Sequence, residues 1–269
     1  MLACLQCSAW AQSYNVTWSS INSSGGVMSG AAYKVNGSVG QAAAGTSKSV
    51  NLFHWIGFWS GDVPNPIPVS SIKAAKCMAD GTFVSIAGQI ASTSSEDFGN
   101  RFWIQDPNRA NGIMVLAPAG VLDGLARGSI VNVIGTLGTA PNGVRCFTGP
   151  VVFITSSTTP PNPLGMPGKS IGGADFGISP LGQIGPDSGV GLNNIGLLVR
   201  TWSKVIPGDA GFLTIDDGSG TPIRIPERAL AHSYNVGDFV TLIGISDLDN
   251  NSGSYQRLVI PRNAEDMVP

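Results

Sequence analysis

The sequence predicts an all-β protein: two small five-stranded barrels in tandem, preceded by a small β-module. Three observations predict it. First, one pattern occurs twice. It reads FWIQD, GIMV and ARGSIVNVIGTL from Phe102, and FLTIDDGSGTPIRI and NVGDFVTLIGIS from Phe212. In each copy an apolar strand runs into an Asp at a tight turn, and a second strand follows. After a loop, a glycine opens a third strand that ends in Ile-Gly. Gly128 and Gly135 recur at the same spacing as Gly237 and Gly244. Second, 36 Gly and 18 Pro among 269 residues make segments short and turns frequent, as in all-β chains. Third, apolar residues reach 42%, enough for packed cores, while charged residues are only 12%. That is about half the usual share. Ser, Thr and Asn supply the polar faces instead, which suits an extracellular β-protein.

Along the chain, residues 1–12 (MLACLQCSAWAQ) are apolar and hold an Ala9-x-Ala11 pair of the signal-cleavage kind. We read them as the tail of a secretion signal. The alternatives are a buried first strand or a segment that docks on a neighbour. With that signal the expected location is extracellular or at the cell surface, and since no apolar run reaches the ~18 residues of a membrane span, the mature protein is expected to be soluble or surface-associated. Cleavage would leave Cys77 and Cys146. One pair in an exported chain is compatible with a disulfide, and the alternative is two buried thiols packing as small hydrophobes. Residues 13–62 form the small module: Tyr14-Val16-Trp18 and Tyr33-Val35 alternate with period two, and Phe53 to Trp59 is denser. Residues 63–69 hold a stiff proline linker.

The first barrel is expected over residues 70–156, with strands Phe83–Ile90, Arg101–Gln105, Gly112–Leu116, Ile130–Leu137 and Arg145–Ile154. Residues 157–190 show no period and are too many for an ordinary loop. They either link domains or pack as an irregular strap. The second barrel takes residues 191–269, with strands Ile195–Val205, Gly211–Ile215, Pro222–Ile225, Phe239–Ile245 and Tyr255–Ile260. Gly218 and Gly220 suit the positive φ of a tight hairpin. Gly135 and Gly244 stand where a closing strand must bend.

Two resemblances follow from these residues. Tyr33, Val35, Gly37, Val39, Gly40, Gln41, Gly57, Phe58, Trp59 and Gly61 resemble a Gly/Ser-rich β-module of bacterial exported proteins. The hairpin Phe212 to Gly220, with Gly237-Asp238-Phe239-Val240 and Ile243-Gly244, resembles the OB-fold. The first copy is similar to OB-type modules of bacterial secreted nucleases and surface proteins, through Asp80-Gly81-Thr82, Phe102 to Asp106, Gly112-Ile113, Gly128 and Gly135. The resemblance implies binding of oligonucleotides or oligosaccharides on the face of strands two and three. In the second copy that surface would draw on Trp202, Lys204, Arg224, Arg228, Tyr255 and Arg257. In the first it would draw on Arg101, Trp103, Arg109 and Arg145. Such residues stack rings and hold phosphates, although alternating aromatics also build cores and scattered Arg also decorate surfaces. The second copy carries nine carboxylates against six Lys and Arg, which weighs against nucleic acid.

Nothing in the sequence marks catalysis. His54 and His232 have no ligand-spaced partners for zinc. There is no nucleophile elbow and no Walker loop, and no cofactor is implied. Asp106, Asp216 and Asp217 sit at turns, where Asp bonds its own backbone. Asp247-x-Asp249-x-Asn251 begins like a calcium loop, but lacks its glycine and final Glu and reads as a polar inter-strand loop. The expected function is therefore a secreted, non-catalytic binding module for a polysaccharide or single-stranded nucleic acid. The alternative is a structural subunit of an extracellular layer or filament, self-associating by strand addition.

Overall fold

The computed structural model describes residues 24–29, 34–39, 45–49, 52–56, 65–117, 122–178, 181–230 and 233–269. The chain divides into two compact units, residues 1–64 and residues 65–269. In the first, β1 (Ser24–Ser29) pairs antiparallel with β2 (Lys34–Val39), and β3 (Gly45–Ser49) with β4 (Leu52–Ile56). The period-two stretch at Val35 supplies β2, and the apolar stretch from Phe53 supplies β4. The expected signal segment and the Tyr14 to Trp18 strand lie outside the described residues.

The second unit begins with β5 (Ile67–Val69), α1 (Ile72–Lys76), β6 (Phe83–Ala91), β7 (Arg101–Gln105), β8 (Gly112–Leu116), β9 (Ser129–Thr139) and β10 (Arg145–Ser157). Strand β6 pairs with both β7 and β9, β7 with β8, β8 in parallel with β10, and β10 with β9. That ring is a closed five-stranded OB-like barrel. Alternation along each strand fills it: Val84, Ile86, Phe102, Ile104, Val131, Val133 and Phe147 point inward, joined by Ile72 and Ala75 of α1. The helix is five residues long. Ser71 caps it, its Oγ accepting the Ala74 N–H at 3.2 Å.

The second sheet holds β11 (Leu164–Gly165), β12 (Leu198–Ile206), β13 (Phe212–Asp216), β14 (Ile223–Pro226), β15 (Phe239–Asn251), β16 (Ser254–Ile260) and β17 (Met267–Val268). Its strands pair in the order β11-β12-β13-β14-β16-β15-β17, and β12 also pairs with β15. The duplication reaches further than the motif: β5 runs parallel beside β6, and β11 runs parallel beside β12. Residues 67–69 are thus an outer strand as well as part of a linker. Pro68 is tolerated there because an outer strand has one unpaired side.

Three local expectations change. Gly135 and Gly244 have no unusual φ, and close approach is what requires glycine. A Cβ on Gly135 would lie 3.2 Å from the Thr148 carbonyl oxygen, and one on Gly244 would lie 2.6 Å from Val259 Cγ1. Asp247, Asp249 and Asn251 belong to β15 rather than to a loop. The turn is Ser252-Gly253, both at positive φ (53° and 94°), the two-residue form whose twist matches a hairpin. Cys77 and Cys146 are free thiols. Cys77 caps the C-terminus of α1, while Cys146 lies on the outward face of β10 in an apolar cluster that burial extends to the second sheet.

That cluster joins the two copies. Trp103, Met114, Val144 and Cys146 of the barrel pack with Ile195, Leu198, Ile245, Leu248, Leu258 and Ile260 of the second sheet and its approach. Gly112 and Gly196 meet backbone to backbone: a Cβ on Gly112 would lie 2.1 Å from the Gly196 carbonyl oxygen. Lys76, 3% exposed, donates from Nζ to the Ile195 carbonyl at 2.8 Å. The segment between β11 and β12 packs as a strap. Its Gln183 accepts the Arg145 N–H (2.8 Å) and donates to the Gly143 carbonyl (3.0 Å).

Candidate ligand-binding surface

The ten residues singled out from sequence do not form one surface. On the barrel, Trp103 is fully buried beneath the second sheet and touches Phe98 edge-on. Arg145 is buried and held by Asp80, the Met78 carbonyl and Thr139. Arg101 is half-buried over the rings of Phe98 and Trp103. Arg109 donates to the Asn162 carbonyl at 3.2 Å. The face of strands two and three of the barrel is thereby occupied from within the chain.

On the second sheet, Arg257 is buried, with its guanidinium on the carbonyls of Ile171, Lys169 and Ser188, and burial holds its pKa below the ordinary range. Arg224 lies 3.9 Å above the Phe212 ring and pairs with Asp249 and Asp209. Tyr255 is half-buried against the inter-copy cluster. Arg228 falls in the short 3-10 turn Glu227–Ala229, and its side chain lies outside the description. Beside Arg224, a cleft of about 610 Å³ opens between the copies, lined by Arg101, Asn142, Phe212, Glu227, Asp247 and Asp249. Burial pushes the Asp247 carboxyl up to about 6, against the opposing pull of the Leu248 N–H, Arg101 and Asn142.

Trp202 and Lys204 stand apart from these. Thr201, Ser203 and Val205 of β12 point inward, so Arg200, Trp202 and Lys204 point to solvent. Trp202 is 59% exposed and Phe239, at the start of β15, is 49% exposed. Their rings stack with centroids 4.7 Å apart and an interplanar angle of 12°. The Lys204 ammonium sits 5.8 Å from the Phe239 centroid. Together with Asp216, Asp217 and Gly218 of the β13–β14 turn, these three side chains border a hollow of about 280 Å³. The turn is rigid: Asp216 Oδ1 accepts the N–H groups of Gly218 (2.8 Å) and Gly220 (3.2 Å), at φ of 93° and 70°. Burial raises the Asp217 pKa, but bonds from Ser219 and Gly168 outweigh it, and the carboxyl stays below its ordinary range. Phe239 is the residue that sequence reading missed. Its signal is the alternation of β15: Val240 and Leu242 fill the core, so Phe239 faces out. Chemically, the surface offers a ring face, an ammonium donor and carboxylate acceptors within one hollow. Among the described residues, no group of three or more His, Cys, Asp or Glu could hold a metal ion.

No protein-family model matches the chain, and no curated protein matches it. Among solved structures, one described as "Structure of murine DNA binding protein bound with ds DNA" is similar over 65% of this chain and 92% of that one. The identity is 11% and the TM-score 0.33, a likeness too slight to carry an argument about this chain.

Proposed function

We propose that this chain is an exported, non-catalytic binding module. In this reading the second sheet is a closed OB-like barrel like the first, and the outer face of β12 captures a ring-bearing polymer. The observation that carries the reading is the exposed Trp202–Phe239 stack beside Lys204. The two rings are diagonal neighbours across β12 and β15 and steady that strand pair, yet they stay largely in water, and contiguous apolar exposure of this kind marks recognition sites. The first copy supports the reading in another way. Its equivalent of the usual OB ligand face is filled by the second copy, so it serves to hold the pair together and leaves binding to the second.

The test is titration of the full chain with soluble polysaccharides and with single-stranded oligonucleotides. Binding to at least one of these classes is expected, and Trp202→Ala should weaken it about tenfold or more, the ordinary worth of one stacking ring. Saturable binding that Trp202→Ala and Phe239→Ala leave intact would move the site elsewhere. No binding to either polymer would end the proposal.

A further inference from the structure

We infer that the ligand of the Trp202 surface is a neutral or amino-bearing glycan and that nucleic acid is excluded from it; this rests on the reading of that surface as a binding site. Lys204 and a carboxylate face each other across two strands without pairing. Lys204 and Asp216 are directly opposite each other on antiparallel β12 and β13. Opposite charges so placed ordinarily attract across the strands. Among the ion pairs of the described residues, however, Lys204 has no carboxylate within reach, and its ammonium lies over the Phe239 ring instead. Lys204, Asp216 and Asp217 all line the hollow of about 280 Å³.

A group that fills this space must accept from the ammonium and donate to Asp216. A hydroxyl does both at once. A phosphate oxygen only accepts, so it would satisfy Lys204 and be repelled by Asp216 and Asp217. The wider face adds no basic track. Arg200 and Lys204 are balanced by Asp216 and Asp217, whereas nucleic-acid affinity depends on neutralising successive phosphates with unbalanced cations. Uronate or sulfated glycans meet the same carboxylates. The exposed face of Trp202 completes the site: the C–H face of a pyranose packs on an indole as an apolar surface, while its equatorial hydroxyls project sideways toward Lys204 and Asp216.

The experiment titrates the full chain, wild type and variants, with cellohexaose, chitohexaose, its fully deacetylated form, and a dT12 oligonucleotide. Calorimetry is run at low and at moderate salt. At least one of the hexasaccharides is expected to bind. Trp202→Ala should weaken that binding about tenfold or more, the scale of one lost stacking ring. Asp216→Asn, which keeps the acceptor for Gly218, should weaken it several-fold, and salt should change the binding of cellohexaose or chitohexaose little. The dT12 oligonucleotide should not bind measurably. Binding of dT12 that Trp202→Ala abolishes, with no hexasaccharide bound, overturns this inference while leaving the surface as a binding site. Hexasaccharide binding indifferent to Trp202→Ala, or no binding of any ligand, overturns both. Because Trp202 lies outside the core, far-UV circular dichroism of the variant should match wild type, and Lys204→Met, an independent substitution at the same hollow, should weaken hexasaccharide binding several-fold.

Discussion

Lys76 and Asp247 are two ionisable side chains buried where the copies meet, and burial drives each toward its neutral form. Burial lowers the Lys76 pKa from 10.5 to about 7; Asp106 and Asp247 pull it up, and Arg145 pushes it down. Burial raises Asp247 from 3.8 to about 6, with Asp249 adding to the rise and the Leu248 N–H, Arg101 and Asn142 opposing it. The signs of their contributions follow from proton counts. Between pH 3.8 and 6 the folded chain holds the Asp247 proton more tightly than the unfolded chain, so stability falls as pH rises through this range. Between pH 7 and 10.5 the unfolded chain binds the Lys76 proton and the folded chain does not, so stability rises with pH. Stability from this pair is therefore lowest between about pH 6 and 7. Asp97, held down by Arg127 against its own burial, acts on the acid side of this window. Cys146, pushed up to about 11 by burial, acts above pH 9. Urea melts from pH 4 to 9 should show the minimum. Asp247→Asn keeps an acceptor for Asn142 and Leu248, and should flatten the acid limb by roughly 2–3 kcal/mol between pH 4 and 7. Lys76→Met should flatten the alkaline limb. Limbs that persist unchanged in both variants would remove these two groups as the cause.

At the scale of elements, the contact that fixes β8 against the approach to β12 is made of backbone alone. Gly112 opens β8, and Gly196, at φ 89°, precedes β12. A Cβ on either would meet the other's backbone, at 2.1 Å and 2.7 Å. Neither side can yield, because one is a paired strand and the other is bonded to β15 through Gly196 N–H to the Ser246 carbonyl at 2.7 Å. Gly112→Ala should cost about 2–3 kcal/mol in a urea melt, as overpacking does. Gly112→Ala with Gly196→Ala should cost less than the sum, since both break one contact. Gly99→Ala, with nothing within 4 Å, should cost little. Equal losses at Gly99 and Gly112 would refute the close-approach account. The same elements show what a sequence can and cannot reveal. Strands β7 and β8 fall at Arg101–Gln105 and Gly112–Leu116, the bounds expected for apolar runs on either side of a tight turn. Period two identifies which residues share a face, and Trp202 with Lys204 is legible on those grounds. It does not say what covers a face: Trp103 reads as a groove residue because a second copy packed on it looks, in sequence, the same as a ligand. Strands β5 and β11 and the helix α1 are two to five residues long, too short for any period to register.

At the scale of the molecule, the two copies share a core that neither could bury alone. Trp103 and its neighbours would face water in an isolated first barrel, as Leu198, Ile245 and Leu258 would in an isolated second sheet. Their association removes these apolar faces and leaves, among the described residues of the second unit, only the outer strands β5, β11 and β17, of two or three residues, as edges. Edges so short are poor templates for strand addition, which favours a binding module over a filament subunit for this part of the chain. A shared core also couples unfolding. Losing either copy exposes the other's outer face together with Lys76, Gln183 and the Gly112–Gly196 contact, so residues 65–269 should unfold in one cooperative transition. The measurement uses residues 65–269 carrying Trp202→Phe, in which Trp103 is the only tryptophan. Its emission should stay blue-shifted and shielded from iodide in the folded state, then shift red at the same urea concentration at which the far-UV circular dichroism of both sheets is lost. A red shift that precedes the loss of sheet signal would mean that the copies separate before either unfolds, and that Trp103 lies at a hinge face instead of within a common core.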